Sequence, residues 1–406
     1  MAPPPLALYV HLPWCVRKCP YCDFNSHQVP AAGVPEGEYL RVVLEDLEYA
    51  AAQCEGRGLV SVFFGGGTPS LFTPESIARI LSRARELLPG ASGQPAPEVS
   101  LEANPGTIEH GAFAGYRSAG INRVSLGAQS FNARQLAALG RIHAAAETRA
   151  AVAELRAAGI ENFNLDLMYA LPEQSVEEAL ADVEEALALG PAHLSHYQLT
   201  LEPGTVFHRR PPPLPGEDSS FEMQEACQAR IAAAGYAQYE VSAYARPGRE
   251  CAHNLNYWQF GDYIGIGAGA HGKITRNGRI VRSARHRSPA RYMSATQPAE
   301  RVAEVRVVAD DEIPFEFCLN ALRLVDGFET ALFESTTGLA AQSIEAICAT
   351  AEGRGLLQRG VDARWAPTPL GRRFLNDLQA LFLPDRPHAA AGRAATDCTG
   401  VATPAA

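Results

Sequence analysis

Apolar side chains gather in short runs through the first two-thirds of the chain, at residues 6–12, 59–64, 98–102, 123–126, 163–168 and 193–199. Each run ends in polar residues or glycine and is followed by a stretch of helical periodicity. Strand-like and helix-like segments alternating six times predict a parallel sheet with crossover helices. Six units are fewer than the eight that close a barrel, so the expected fold is α/β, a partial (β/α)6 barrel. In such folds functional side chains collect at the C-terminal ends of the strands.

Beyond residue 200 the pattern loosens into Pro211-Pro-Pro-Leu-Pro215, then resumes with a helical stretch at 221–234 and a strand-like segment at 239–244. From Val302 the periodicity predicts short helices, a strand pair near 356–361 and a helix at 370–381, a small helical unit of winged-helix type. The division expected from these shifts is a barrel over 1–240, a connecting region over 241–301 and a C-terminal unit over 302–383. A tail of Ala, Thr, Pro and Gly over 384–406 is expected to be disordered.

Composition narrows the possibilities. The 406 residues are 47% hydrophobic, enough for a large core and two domains. A net charge of −10 argues against a broad nucleic-acid footprint, and residues 302–383 hold seven arginines against twelve acidic residues, so a DNA-reading role for the C-terminal unit is disfavoured. No run approaches the roughly 18 apolar residues of a membrane span. The start, Met1-Ala-Pro-Pro-Pro, carries neither a secretory nor a transit pattern, so a cytoplasmic location is expected.

Nine cysteines do not form a disulfide framework: six are scattered, and three crowd into Cys15-x3-Cys19-x2-Cys22. That compact triplet, following a strand that Pro13 terminates, suits an iron–sulfur cubane with one iron left open. A Cys3His zinc site completed by His11 or His27 is the alternative. Gly65-Gly-Gly-Thr68 follows the second strand. Its peptide groups are expected to approach a ligand, without the Lys-Ser/Thr of a phosphate loop. Glu102 and Asp166 end or interrupt apolar strands, where a carboxylate can accept from ribose hydroxyls, bind an amine or cap the next helix.

The cysteine loop, with Tyr21 before its last cysteine, resembles that of the radical S-adenosylmethionine superfamily. The resemblance implies a [4Fe-4S] cluster on Cys15, Cys19 and Cys22, with S-adenosylmethionine chelating the open iron and cleaved to a 5′-deoxyadenosyl radical. More narrowly, Tyr9-Val-His-Leu-Pro-Trp-Cys15, Gly65-Gly-Gly-Thr-Pro69, Gly127-Ala-Gln-Ser-Phe131 and Asn164-Leu-Asp-Leu-Met-Tyr-Ala-Leu-Pro172 resemble the oxygen-independent coproporphyrinogen III oxidase family over about residues 6–383. The implied S-adenosylmethionine contacts are Tyr9, Tyr21, Gly66, Gly67, Thr68, Glu102, Gln129, Arg141 and Asp166.

The decarboxylating branch of that family resembles Cys-x3-Cys-x2-Cys-x-Cys, whereas Phe24 stands here at the fourth position. The run from Cys19 to His27 and the motif His253-Asn254-Leu-Asn-Tyr257-Trp258 instead resemble the heme chaperone branch. That resemblance implies heme as a ligand, His253 as its iron ligand, and acceptor hemoproteins, respiratory and membrane-associated ones among them, as partners. The neighbouring Gly265-Ile-Gly-Ala-Gly-Ala-His271 lacks dinucleotide spacing and is expected as a turn near the cofactor cleft. Two other readings stay open: an anaerobic coproporphyrinogen III dehydrogenase of porphyrin biosynthesis, and a protein whose cluster is only structural.

Overall fold

The structure is a computed structural model that describes residues 3–384 apart from 55, 91–94, 108–111 and 361. Of the tail expected over 384–406, residues 385–406 lie outside the described residues. All six expected strands form: β1 Leu6–Leu12, β2 Leu59–Gly66, β3 Glu98–Ala103, β4 Arg123–Gln129, β5 Phe163–Tyr169 and β6 His193–Gln198. They pair in parallel in that order, β1 with β2 through β5 with β6.

The sheet is larger than expected. Residues 239–244, read as one strand, are a hairpin of β7 Ala237–Glu240 and β8 Ala243–Ala245, and β8 runs antiparallel to β6. The Glu240 carboxylate accepts from both the backbone N–H and the hydroxyl of Ser242, and this side-chain capture of the backbone makes the corner. On the far side of β1, β9 Asp262–Ile266 adds a seventh parallel strand, followed by the antiparallel β10 His271–Arg276, β11 Arg279–Arg285 and β12 Val302–Val307. One open, twelve-stranded sheet results. β1 sits between two parallel neighbours and is covered on both faces, which is why Leu-Ala-Leu-Tyr-Val-His-Leu is almost continuously apolar.

Helices α1 Glu36–Ala51, α2 Pro74–Leu87, α3 Ala112–Ala119, α4 Ala145–Ala157 and α5 Val176–Ala188 cover the outside of the parallel strands. Their starts are written in the sequence. Thr73 accepts from the Ser76 N–H with Pro74 at the first position, and Ser175 and Glu178 form a reciprocal capping box, each worth about 1 kcal/mol. α6 Glu217–Ala233 backs the last strands, and α7 Ala252–Trp258 carries the His-Asn-x-x-Tyr-Trp motif.

The C-terminal unit follows the winged-helix order: α8 Ile313–Ala321, β13 Phe328–Glu329, α9 Thr330–Thr337, α10 Gln342–Gly353, then β14 Leu357–Arg359 and β15 Arg364–Pro367. Phe317 anchors its core, edge-on to Phe328 at 4.9 Å and to Phe333 at 5.1 Å. Phe260 and Ile280 from the connecting region enter the same core, so barrel and C-terminal unit share packing.

Two buried ion networks lock the added strands. Asp46 on α1, fully buried, accepts from Arg285 Nε at 2.9 Å, from the Tyr292 hydroxyl at 2.8 Å and from the Gly267 N–H at 3.3 Å. Asp262 on β9 accepts from Lys273 at 3.0 Å and Arg57 at 2.8 Å.

Candidate functional site

The ends of β2 to β6 and the cysteine loop enclose a cavity of about 500 Å3. Eleven of the thirteen residues singled out above line it: Cys15, Cys19, Cys22, Tyr21, Gly66, Gly67, Thr68, Glu102, Gln129, Arg141 and Asp166. Tyr9 and His253 do not. Phe63 lines the cavity in their place, stacked on the Tyr9 ring at 6.3 Å and on His253 at 4.9 Å. His253 is 2% exposed, shares a hydrogen bond between Nδ1 and Ser61 Oγ at 2.9 Å, and makes none at Nε2. Burial, and then the charge of Arg123, pushes its pKa down to about 3, so the ring is neutral. Its neighbour Asn254 does reach the cavity.

The cysteine loop is held by the protein itself. Val29 N–H donates to the Cys15 carbonyl and His27 N–H to that of Pro13, while the Lys18 ammonium donates to the carbonyls of Phe24 and Ser26. Asn25 Nδ2 donates to the carbonyls of Ala268 and Arg287, both at 2.9 Å, tying the loop to the glycine-rich turn. That turn therefore buttresses the loop from behind, and Gly265 to His271 are absent from the cavity lining where the sequence had put them near the cleft. Ser26 Oγ lies 3.7 Å from Cys22 Sγ, and Arg141 Nη1 donates to Cys19 Sγ at 3.8 Å. Desolvation pushes the Cys15 and Cys22 thiols up, so loading a metal there releases protons.

The zinc alternative finds little support in this geometry. His11 has both ring nitrogens engaged, Nε2 donating to the Asn25 carbonyl and Nδ1 accepting from the Tyr9 hydroxyl. Among the described residues no three His, Cys, Asp or Glu side chains converge closely enough to hold one ion. A cubane spans several metal positions, so three thiols lining one cavity fit it where they do not fit a single ion.

The glycines act differently from expectation. The N–H groups of Gly66, Gly67 and Thr68 are consumed internally, by the Glu102 carboxylate and the carbonyls of Leu12 and Trp14. Glycine is required because Gly66 has φ of 111° and its Cβ would fall 2.5 Å from the His11 ring, while a Cβ on Gly67 would fall 2.5 Å from the Trp14 carbonyl. The turn lets the strand end pack against the cysteine loop.

Glu102 and Asp166 form the acidic floor. Asp166 accepts from Asn164 Nδ2 at 2.7 Å and Ser125 Oγ at 3.1 Å. Burial, and then the charge of Asp166, pushes the Glu102 carboxyl up to about 8; burial also raises that of Asp166. Two carboxyls held above their ordinary range await a ligand that donates hydrogen bonds or carries positive charge. Arg141 spans the site: its Nη2 donates to Asn104 Oδ1 at 2.6 Å and the Gly127 carbonyl at 2.7 Å, and Asn104 donates to Thr68 Oγ1. Gln129 accepts from the Tyr197 hydroxyl at 2.7 Å on a backbone of φ 66°, at the bulge where β4 slips register against β5. A non-glycine residue in that region is strained, and such strain concentrates at ligand sites.

Asn104, Arg123, Ser125, Asn164, Ser195 and Tyr197 also line the cavity and escaped the sequence reading. A signal was available. Asn104 lies two residues from Glu102, Asn164 two from Asp166 and Ser125 two from Gly127, the spacing that puts side chains on one face of a strand.

Comparison with known proteins agrees with this geometry. Residues 9–186 match the radical SAM superfamily. The chain is 46% identical to the heme chaperone HemW of Escherichia coli over 94% of its own length and 98% of that protein. It is 45% identical to the heme chaperone HemW of Haemophilus influenzae over the same shares. Among solved structures, coproporphyrinogen III oxidase (HemN) of Escherichia coli superposes with a TM-score of 0.78 at 22% identity, covering 94% of this chain and 90% of that one, a likeness of fold. Identity of that extent over nearly the whole length of both partners means that this chain belongs to the HemW family of radical SAM proteins.

Proposed function

We propose that the protein is a heme chaperone: it binds heme, holds a [4Fe-4S] cluster on Cys15, Cys19 and Cys22 with S-adenosylmethionine beside it, and passes heme to acceptor hemoproteins. The observation that carries this reading is the near-full-length identity to proteins named heme chaperone HemW. The cavity fits the two resident cofactors. It has three thiols at one end, carboxyls at the floor able to accept from ribose hydroxyls, and a volume in the range of small-molecule sites. When bound, the cluster supplies an open iron and a source of electrons.

The chain's own residues have separable tasks in that frame. Arg141 sets positive charge against Cys19 and offsets the anionic thiolates, while it braces Asn104 and the β4 bulge. Glu102 and Asp166 orient a polar ligand, and Gln129 with Tyr197 fixes the opposite wall. Phe24 is 59% exposed beside Cys22 on the cavity lining, where the decarboxylating branch resembles a fourth cysteine. An apolar, solvent-facing ring there suits docking of a planar partner better than a further metal contact. His253, expected as a heme iron ligand, keeps an unpartnered Nε2. No helix among the described residues is long and apolar enough to cross a membrane.

The second reading, a coproporphyrinogen III dehydrogenase, is favoured only by the fold likeness. Anaerobic incubation of the cluster-loaded protein with S-adenosylmethionine, a reductant and coproporphyrinogen III, alongside a heme titration, separates the two. Stoichiometric heme uptake without porphyrin turnover is expected. Catalytic formation of protoporphyrinogen overturns the chaperone reading.

A further inference from the structure

The polar floor of the cofactor cavity is held from behind by residues that do not line it. Asn164 and His193 stand in register near the starts of β5 and β6, and Asp166 stands opposite Ser195. His193 and Tyr239 are absent from the cavity lining, and His193 is buried, as is Asn164. A chain of hydrogen bonds nevertheless joins the floor to α7. The N–H of Cys251, the residue before α7, donates to the Tyr239 hydroxyl at 3.3 Å. That hydroxyl lies 2.8 Å from His193 Nε2, and His193 Nδ1 lies 2.7 Å from Asn164 Oδ1. Asn164 Nδ2 then donates to Asp166 at 2.7 Å and to Ser125 Oγ at 2.8 Å.

Each bond in this chain fixes the direction of the next. An ionised carboxylate only accepts, so Asp166 faces Nδ2 of Asn164 and takes the Ser125 hydroxyl proton at 3.1 Å. Asn164 Oδ1 is thereby turned toward β6, where Ser195 Oγ donates to it at 3.2 Å and the imidazole must donate as well. Burial, and then the charge of Arg123, pushes the His193 pKa well down, so the ring is neutral and carries one proton. With that proton on Nδ1, Nε2 is left as an acceptor. The Tyr239 hydroxyl donates to it while accepting from Cys251, and every donor and acceptor along the line is matched.

The opposite setting is chemically distinct. With the imidazole proton on Nε2, Nδ1 would call for Nδ2 of Asn164, and Oδ1 would face Asp166. Two acceptors 2.7 Å apart require a proton between them, so Asp166 would be neutral. The floor holds two carboxyls, and the charge of Asp166 helps to push Glu102 up to about 8. Hydrogen bonds, that from Asn164 foremost, oppose the effect of burial at Asp166, whereas among the described residues Glu102 accepts from the Gly66 N–H alone. The orientation of one amide therefore decides which carboxyl bears the charge.

We propose that Tyr239 and His193 are positioning residues for S-adenosylmethionine: they lock the Asn164 amide, which places the negative charge of the floor on Asp166 and leaves the proton on Glu102. The cavity then presents one fixed anionic acceptor to the ribose hydroxyls or the amine of that ligand. The proposal rests on the S-adenosylmethionine part of the function proposed above. The lock is anchored outside the barrel strands. The Tyr239 carbonyl accepts from the Val325 N–H of the C-terminal unit at 3.0 Å and its hydroxyl from Cys251, so one residue ties both the C-terminal unit and the start of α7 to the cofactor floor.

The test uses the full-length, cluster-loaded protein, titrated anaerobically with S-adenosylmethionine by calorimetry, with the His193 ring nitrogens read by nitrogen NMR. The spectrum of the parent should show the proton on Nδ1, and this reading needs no variant to fold. His193→Leu should weaken S-adenosylmethionine about tenfold and Tyr239→Phe about threefold or more, with iron and acid-labile sulfide unaltered. His193→Asn keeps an N–H where Nδ1 stands and should remain within about twofold of the parent. A proton on Nε2 in the parent overturns the proposal. So does unchanged affinity in Tyr239→Phe and in a folded His193→Leu, or an equal loss in His193→Asn and His193→Leu, each of which leaves the cofactor reading intact. A parent that binds no S-adenosylmethionine refutes the cofactor reading, and the lock with it.

Discussion

Replacing Glu102 with glutamine should stabilise the metal-free protein at high pH and flatten its stability profile. In the folded chain the carboxyl titrates near 8 against an ordinary 4.5, because burial and the neighbouring Asp166 both disfavour its charge. Between those values the folded state holds a proton that the unfolded chain has released. The contribution is therefore complete below about pH 4.5 and is lost as pH rises through about 8. At ~1.36 kcal/mol per pH unit the full gap is worth at most about 5 kcal/mol. Asp166 shares the titration, which lowers the expected difference to roughly 2–4 kcal/mol. Glutamine keeps an oxygen to accept from the Gly66 N–H, so the glycine turn is preserved. Urea unfolding of the two metal-free proteins under anaerobic, reducing conditions from pH 5 to 9 measures the effect, and the buried thiols contribute equally to both chains and cancel. The variant should gain on the parent steadily with pH. Parallel profiles within about 0.5 kcal/mol would refute the assignment of a strained acidic floor. The gain should come at the expense of S-adenosylmethionine affinity, since a carboxylate that repels its neighbour is stabilised by a donating ligand.

Asp46→Ala should cost about 3–5 kcal/mol in denaturant unfolding, because it strands the buried Arg285 guanidinium; a loss below about 1 kcal/mol would show that the network is dispensable. Gly66→Ala should cost about 2–4 kcal/mol and lower cluster retention, through the clash with His11 and the positive φ, and an unchanged melting temperature would contradict the packing account. Arg141→Met should reduce iron and acid-labile sulfide after anaerobic reconstitution, with Arg141→Lys recovering only part because an ammonium cannot hold Cys19, Asn104 and Gly127 together. Full iron content in both variants would remove Arg141 from the cluster environment.

The parallel core was legible because covered strands need apolar residues on both faces, and β1 and β3 to β5 have that character interrupted only by the inward polar positions, while β6 carries the polar His196 on its other face. β9 was not legible. Asp-Tyr-Ile-Gly-Ile reads as the start of a glycine turn, and what makes it a strand is pairing with β1, more than 240 residues away in sequence. The hairpin at 237–245 was hidden for a similar reason, since its corner depends on what Glu240 does with its side chain. In the site, spacing located the cysteines, glycines and carboxylates, which act through type and position. It could not reveal that Phe63 screens Tyr9 and His253 from the cavity, because screening depends on how neighbouring strands pack.

The bracing of the cysteine loop has a consequence for how the chain tolerates loss of a cluster. Asn25, Lys18, His27 and Val29 fix the loop through bonds to carbonyls of the protein. None of these bonds runs through the three thiol side chains, so they should persist when a cluster is lost. A chain damaged by oxygen would then be an empty, folded vessel ready for refilling, and repair would require no refolding.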